Sequence, residues 1–495
     1  MLVLNVFLWS DLIEFSCKQP LDLSARLIFG IDVLFLVLLV MLGVKLINKG
    51  YSFHKYFIFI NLAVLVIQII YAYNIYFFTG WDVSHVFDAV HYVINKSSFV
   101  RINAMYPFSV YPNNLGILFL LLPIEWFARL IHVDGYLASI MVSVLAVNLA
   151  GVFLYYLINH MTQKPMIALF TWFLFNILIG FSPWITIPYT DTFTILFPIS
   201  ALYIYVTKKN QIVSIRRSLL IGFLLFWGMY IKPSVSVVLV AIVLTEFLSL
   251  GKFSEKKLMY RKLISIGLII LGGTPIFLGN ALVHGALSEI LQPEARFTAL
   301  HYINMGLNTD RDGVFWGEDV DYSKSFQTVK ERNRGNLSKI LSRLSSFGVE
   351  GYAQFLSRKA LANFADGTFA WGIEGNFFRI IPERTNPISK ILNSYIIGNG
   401  VNYSKFLTNG QFAWYLSLLI LPFLVFVPKQ INTDMVLLCL SILGIIAFVM
   451  LFEARARYLI NHIPVFLVGV GMGYNNLISI TMKIIDMRKK PGASG

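Results

Sequence analysis

The sequence predicts an all-α polytopic membrane protein. Three observations carry this: 57% of the 495 residues are hydrophobic, only 13% are charged, and the mean hydropathy is +0.69. A soluble domain carries about 25% charged residues. The formal net charge of +14 would suggest nucleic acid in a soluble domain. Here the basic residues cluster beside apolar runs, as in cytoplasmic loops under the positive-inside rule, so nucleic-acid binding is set aside. With only Cys17 and Cys439 present, no disulfide framework or cysteine-based zinc site is expected.

Apolar stretches fall at 27–47, 57–78, 114–131, 136–158, 166–182 and 188–206, then at a split 218–250, and finally at 263–283, 412–428, 433–452 and 458–480. Each is compared with the roughly 20 residues that span a bilayer. Residues 1–26 are too short and too interrupted by Asp11 and Glu14 to add a span, and they lack the basic start of a cleaved signal. Four basic clusters mark the cytoplasmic side: Lys45, Lys49 and Lys55; Lys208, Lys209, Arg216 and Arg217; Lys252, Lys256, Lys257, Arg261 and Lys262; and Lys483, Arg488, Lys489 and Lys490. Lys429 returns the chain inside once more. On this compass the loop 79–113, the start of 188–206 and the residues after 452 lie outside. The N-terminus also lies outside, unless residues 1–26 hold part of a crossing.

Both flanks of 218–250 are basic, so the stretch must go out and return, turning at Ile231-Lys232-Pro233, where proline breaks the helix. An even number of crossings is required between 114 and 187, but hydropathy offers three. Pro183 makes 166–182 the expected re-entrant piece. The count comes to about 11–13 transmembrane helices.

Three regions result: an N-terminal membrane module 1–283 containing the first outer loop 79–113, an extracytoplasmic segment 284–411, and C-terminal spans with a basic tail, 412–495. Only 284–411 has a soluble-like composition. It opens on a turn-rich acidic run, Gly306 to Asp319, and 323–364 reads as helical from spacings such as Ile340, Leu341, Leu344 and Phe347. Its Lys and Arg content suggests helices lying on lipid headgroups. No internal repeat of fixed period stands out.

Ionisable residues at span ends are costly unless they pair or work. Those residues are Asp82 in the first loop, Asp191 in Tyr189-Thr190-Asp191-Thr192, Lys232, and the run Glu453-Ala454-Arg455-Ala456-Arg457-Tyr458. Asp82 beside Trp81 suits a general base, or the cap of a helix starting at Val83. Asp191 could orient an acceptor or pair with a cation, or serve the first turn of a helix. Lys232 needs a counter-ion, such as a lipid phosphate, or must snorkel to the headgroups. Arg455 and Arg457 can hold phosphate bidentately, with Glu453 pairing one of them. His85 and His91 lack metal-ligand spacing and read as structural; Asp88 and Arg101 are further polar residues of the loop.

This arrangement resembles the GT-C superfamily of polytopic glycosyltransferases, above all its protein mannosyltransferase-like and aminoarabinose-transferase-like branch. It also resembles multi-pass glycosyltransferase-like proteins of Gram-positive bacteria. The residues that carry the likeness are Gly80-Trp81-Asp82, Tyr111-Pro112-Asn113-Asn114, Tyr189-Thr190-Asp191-Thr192, Ile231-Lys232-Pro233, and Glu453 to Leu459 before Pro464. The resemblance implies a GT-C-like bundle with an outer-face loop domain, in a bacterial plasma membrane. It implies inverting transfer of a sugar from a polyprenyl-phosphate donor to a cell-surface polymer, glycolipid or protein on the outer face. Asp82 and Asp191 are then the catalytic candidates. Lys232, Arg455, Arg457, Tyr189, Glu453, Asn113 and His85 are the substrate-binding ones.

Two features depart from the family. Val83 follows Asp82 where mannosyltransferases place an adjacent acidic pair, and an extra span precedes the loop. Asp-x-Asp occurs only at Asp310-Arg311-Asp312 and Asp319-Val320-Asp321, and neither a metal nor a cofactor is expected. The alternative is a transporter or flippase of a lipid-linked glycan. That class favours related halves and midplane charges, which this chain lacks. A non-catalytic assembly protein would tolerate alanine at Asp82, Lys232 and Arg455.

Overall fold

The computed structural model describes residues 5–6, 21–49, 54–95, 106–207, 214–250, 256–286, 291–375, 377–426 and 432–489. Asp11, Glu14, Cys17, Arg101, Lys208, Lys209, Lys252, Lys429 and Lys490 lie outside them. Seven described helices are long and apolar enough to cross a membrane: Ala25–Ile47, His54–Ile75, Gly135–Thr162, Met259–Leu282, Tyr403–Val425, Thr433–Leu451 and Ala456–Met487. Shorter apolar helices run over Pro165–Gly180, Thr190–Val206 and Pro233–Leu248. Two 17-residue helices, Asn114–Leu130 and Ile215–Ile231, pack among them. The fold is therefore an all-helical polytopic bundle. Its one ladder among the described residues pairs Phe78–Thr79 antiparallel with Phe378–Ile380.

Segment boundaries differ from the hydropathy reading in two places. The split stretch forms helices of 17 and 15 residues, Ile215–Ile231 and Ser236–Leu250, joined at Lys232-Pro233. The span expected at 412–428 begins at Tyr403. Its first turns carry Ser404, Lys405, Thr408 and Gln411, which lower the local hydropathy while the backbone is already helical.

Four polar side chains inside the bundle satisfy one another, as a medium without water favours. Asn61 donates to the Asn148 side chain (2.8 Å), Asn148 to Gln68 Oε1 (2.9 Å), and Gln68 Nε2 to Asn176 Oδ1 and the Gly180 carbonyl (both 3.1 Å). This network ties three helices together at Asn176–Gly180, where the Pro165–Phe175 helix widens into a π turn. Beyond it the chain turns through Pro183–Thr186, entirely buried, to reach Tyr189 and Asp191.

Residues Ala299–Met305, Gly317–Lys324 and Val329–Phe364 form the loop domain, with small apolar cores of their own. Asp319, fully buried, holds it together by ion pairs to Lys339 (2.8 Å) and Arg343 (2.9 Å). The long helix starts on a capping box, Thr328 with Glu331, and kinks at Gly348, whose φ of 60° suits glycine. Of the apolar positions read from the spacing, Leu341 and Leu344 are exposed, whereas Ile340 is buried in a small core against which Phe347 packs.

Candidate functional site

The site is assembled where the first loop, three helix ends and the loop domain meet. The ladder at Phe78–Thr79 and the bond from Gly80 N–H to the Phe377 carbonyl (3.0 Å) anchor the first loop. The next residue, Trp81, opens the Trp81–Ile94 helix with φ of 48°, a left-handed conformation that a bulky side chain rarely adopts. Its indole N–H donates to the Thr79 hydroxyl (3.0 Å), and its ring meets Tyr189 edge-on at 5.2 Å. Strain held in place by surrounding contacts is a mark of functional positions.

Asp82 is the second residue of that helix. Gly80 is the N-cap, so Asp82 is a first-turn carboxylate and not a cap. It is partly exposed, and its charge acts on the Tyr189 and Tyr302 hydroxyls. Tyr189 donates to the Asn114 side chain (2.9 Å) at the start of the Asn114–Leu130 helix.

Asp191 lies in the first turn of the Thr190–Thr194 helix and is buried. It accepts from the Lys232 ammonium group, so the counter-ion that Lys232 requires comes from the protein. Lys232 closes the Ile215–Ile231 helix, its N–H bonded to the Gly228 carbonyl (2.8 Å), and its Nζ lies 5.3 Å from the centre of the Tyr458 ring. Arg457, only 5% exposed, stands between both groups. Its Nε is 3.7 Å from Asp191 and 3.5 Å from Glu374, and its guanidinium carbon is 4.3 Å from the centre of the Trp81 ring. Arg455 pairs tightly with Glu453 (2.6 Å) and Glu374 (3.0 Å), and Tyr458 donates to Glu453 (3.2 Å). Burial would lower the Arg455 pKa, but Glu374 and Glu453 hold it well above the ordinary value.

The loop domain closes this corner. Arg455 N–H donates to the Asn363 side chain (3.1 Å), Ala454 N–H to the Gly313 carbonyl (2.7 Å), and the Arg455 guanidinium carbon lies 5.3 Å from the Phe315 ring centre. Lys359, fully buried, donates to the Gly306 carbonyl (2.5 Å). Burial brings its pKa down to about 7, against the opposing pull of Glu453.

Six of the nine candidates thus belong to one cluster: Asp191, Lys232, Arg455, Arg457, Glu453 and, through Trp81, Tyr189. Asp82 borders it, one residue from Trp81. Asn113 precedes the Asn114–Leu130 helix without a capping hydrogen bond from its side chain, and it lines a neighbouring cavity. His85 is exposed and makes no hydrogen bond or ion pair among the described residues.

Glu374 was not singled out in the sequence. It sits in a π turn, Trp371–Gly375, set by the positive φ of Phe369 and Ala370. Its signal is an acid among aromatics in Phe369-Ala370-Trp371-Gly372-Ile373-Glu374. His462 and Asn461 were also missed. They are buried beside Ser234, and neither His462 Nδ1 nor Asn461 Oδ1 has a hydrogen-bond partner.

Lys232, Arg455 and Arg457 face Asp191, Glu374 and Glu453, a balanced set as burial requires. Only Arg457 is held loosely among these cations: its Nε donates no hydrogen bond. Among the described residues no three His, Cys, Asp or Glu side chains converge as metal ligands.

A family model described as "conserved hypothetical integral membrane protein" matches residues 23–477. No curated protein matches the chain. Among solved structures, a likeness at TM-score 0.34 and 12% identity runs to the archaeal oligosaccharyltransferase AglB from Archaeoglobus fulgidus, in complex with an inhibitory peptide and a dolichol-phosphate. It covers 89% of this chain and 52% of that one, so this chain spans about half the length of AglB.

Proposed function

Starting from the fact that this chain belongs to the family of conserved hypothetical integral membrane proteins, we propose that it is a membrane glycosyltransferase of the GT-C type. It moves a sugar from a polyprenyl-phosphate donor to an acceptor hydroxyl at the outer face of a bacterial plasma membrane. The observation that carries this reading is Arg457: a buried cation with an unused Nε donor, stacked on Trp81 beside Asp82.

In this reading Asp82 accepts the proton of the acceptor hydroxyl as its oxygen attacks the anomeric carbon. The new C–O bond forms as the bond from that carbon to the phosphate oxygen breaks, and the electron pair leaves on the phosphate. One displacement inverts the anomeric centre. The leaving phosphate gathers charge, which a preorganised guanidinium stabilises more in the transition state than in the ground state. Arg457 supplies this, with Lys232 behind it. Asp191 fixes Lys232, while Glu453 and Glu374 fix Arg455. Tyr189 packs on Trp81 and holds Asn114, and we assign no direct role to Asn113 or His85 in the transfer. No role is assigned to a metal.

Asp82 has no ion-pair partner among the described residues, so Asp82→Asn removes a base without unpairing a cation. This variant should be produced and folded normally, yet fail to transfer sugar from a polyprenyl-phosphate donor in proteoliposomes. Transfer at the wild-type rate would refute the assignment. A transporter would instead move the lipid-linked sugar between leaflets without breaking the bond to phosphate, which the same proteoliposomes report.

A further inference from the structure

A cavity of about 410 Å³ lies beside the ion cluster, between the Ile215–Ile231 and Thr274–Ala286 helices and the chain at Phe108–Asn113 and Leu291–Arg296. It is separate from the cluster. Asn113 and Tyr230 line the cavity, whereas Asn114 and Lys232, one and two residues further on, bind Tyr189 and Asp191.

Its lining is mixed in chemistry. Phe226, Met229, Ile276 and Phe277 form an apolar wall, and Phe277 is 52% exposed on a helix whose Leu278 and Leu282 are also exposed. That wall therefore opens sideways on the surface a membrane would cover. Polar groups come from Asn113, Tyr230, Asn280 and Arg296, Tyr230 and Asn280 lying on the same two helices as the apolar wall. The Tyr230 hydroxyl and Asn280 Oδ1 are buried atoms with no hydrogen-bond partner, an arrangement that costs stability unless a ligand completes it. No carboxylate lines the cavity, and Arg296 is exposed with no ion-pair partner among the described residues. The apolar span Met259–Leu282 ends two residues after Asn280, so Asn280 sits where headgroups begin.

We propose that this cavity binds an anionic membrane phospholipid, its chain on the Phe226–Phe277 wall, its phosphate accepting from Arg296 and the Tyr230 hydroxyl, and a headgroup hydroxyl donating to Asn280 Oδ1. The bound lipid packs on Met229 and Tyr230, the last turn of the helix that presents Lys232. Resting on the transferase reading above, its presence there supports the position of Lys232.

The test uses the full chain in nanodiscs of phosphatidylcholine with a trace of phosphatidylglycerol bearing a diazirine in its acyl chain. Adducts mapped by mass spectrometry should concentrate on 226–230 and 276–280, in preference to the same probe with a choline headgroup. Met229→Trp, which fills the cavity, should reduce them about tenfold, and Arg296→Gln should erase the headgroup preference. Asn280→Trp is the second filling variant should the first fail to fold. Equal labelling by both headgroups, adducts that survive both tryptophan variants, or displacement by millimolar inorganic phosphate alone would overturn the site. Because the readout is binding, adducts on a wild-type chain that transfers no sugar would sink the transferase reading and leave the lipid site standing. The link to Lys232 requires transfer to fall without phosphatidylglycerol in wild type but not in Arg296→Gln; equal rates would overturn it.

Discussion

Arg457 and Arg455 are two residues apart and do different work. Arg455 closes on two carboxylates at 2.6 and 3.0 Å, whereas Arg457 stays at 3.5 and 3.7 Å from its own. Lysine keeps the charge but loses the planar fork and the stacking on Trp81. Arg457→Lys should therefore cut transfer by about 100-fold with little change in melting temperature, the size of effect seen when one preorganised donor is lost. Arg455→Gln should instead lower the melting temperature, since Glu374 and Glu453 would remain buried without their partner. Lys359 allows a second, independent test. Its pKa in the folded chain is about 7, below the ordinary 10.5, so the unfolded chain binds more protons between these values. Stability should rise with pH across that window, by up to about 1.4 kcal/mol per pH unit, and Lys359→Met should flatten the rise in thermal melts. The cations and Asp191 were legible in the sequence because a charge within an apolar chain stands out. Glu374 was not, for it lies in the segment of ordinary composition, and neither the left-handed Trp81 nor the clustering of Glu374 with residues 80 positions away can be read from spacing.

The helices pack by the absence of side chains as much as by their presence. A Cβ on Gly222 would lie 1.9 Å from the Ile269 carbonyl oxygen, and one on Gly272 would lie 2.2 Å from that of Leu219. Ser218 and Ser265 meet at 3.2 Å in the same crossing. In lipid, where no hydrophobic force drives helices together, such close approach supplies the attraction. Gly222→Leu should separate the two helices, lowering stability by about 1–3 kcal/mol or more. The measurement is the melting temperature and monodisperse yield in detergent, with Gly267→Leu as control, since a Cβ there meets nothing within 4 Å. Most spans were legible from hydropathy; 166–182, expected to be re-entrant, forms the Pro165–Gly180 helix with its π turn. The ladder at Phe78–Thr79 was not, because two residues carry no readable alternation, and its partner lies about 300 positions away.

At the scale of the molecule, the cluster occupies one end of the bundle. His54–Ile75 is 22 residues long, so it spans about 33 Å at 1.5 Å per residue. Lys55 stands at its start, and the chain reaches Trp81 and the cluster shortly after its end. Lys55 and the ion cluster are therefore on opposite faces of whatever membrane the helix crosses. The positive-inside rule predicts which face is which: with Lys45, Lys49 and Lys55 in the cytoplasm, the cluster and the loop domain would lie outside. That assignment comes from the sequence alone, since the fold is compatible with either orientation. It can be checked in intact cells after replacing Cys17 and Cys439 by serine. Val401→Cys, at an 86% exposed position just before the Tyr403–Val425 span, should react with a membrane-impermeant maleimide at once. Lys55→Cys, also exposed, should react only after permeabilisation. The reverse pattern would put the cluster in the cytoplasm, where a donor carried on the outer leaflet could not reach Arg457.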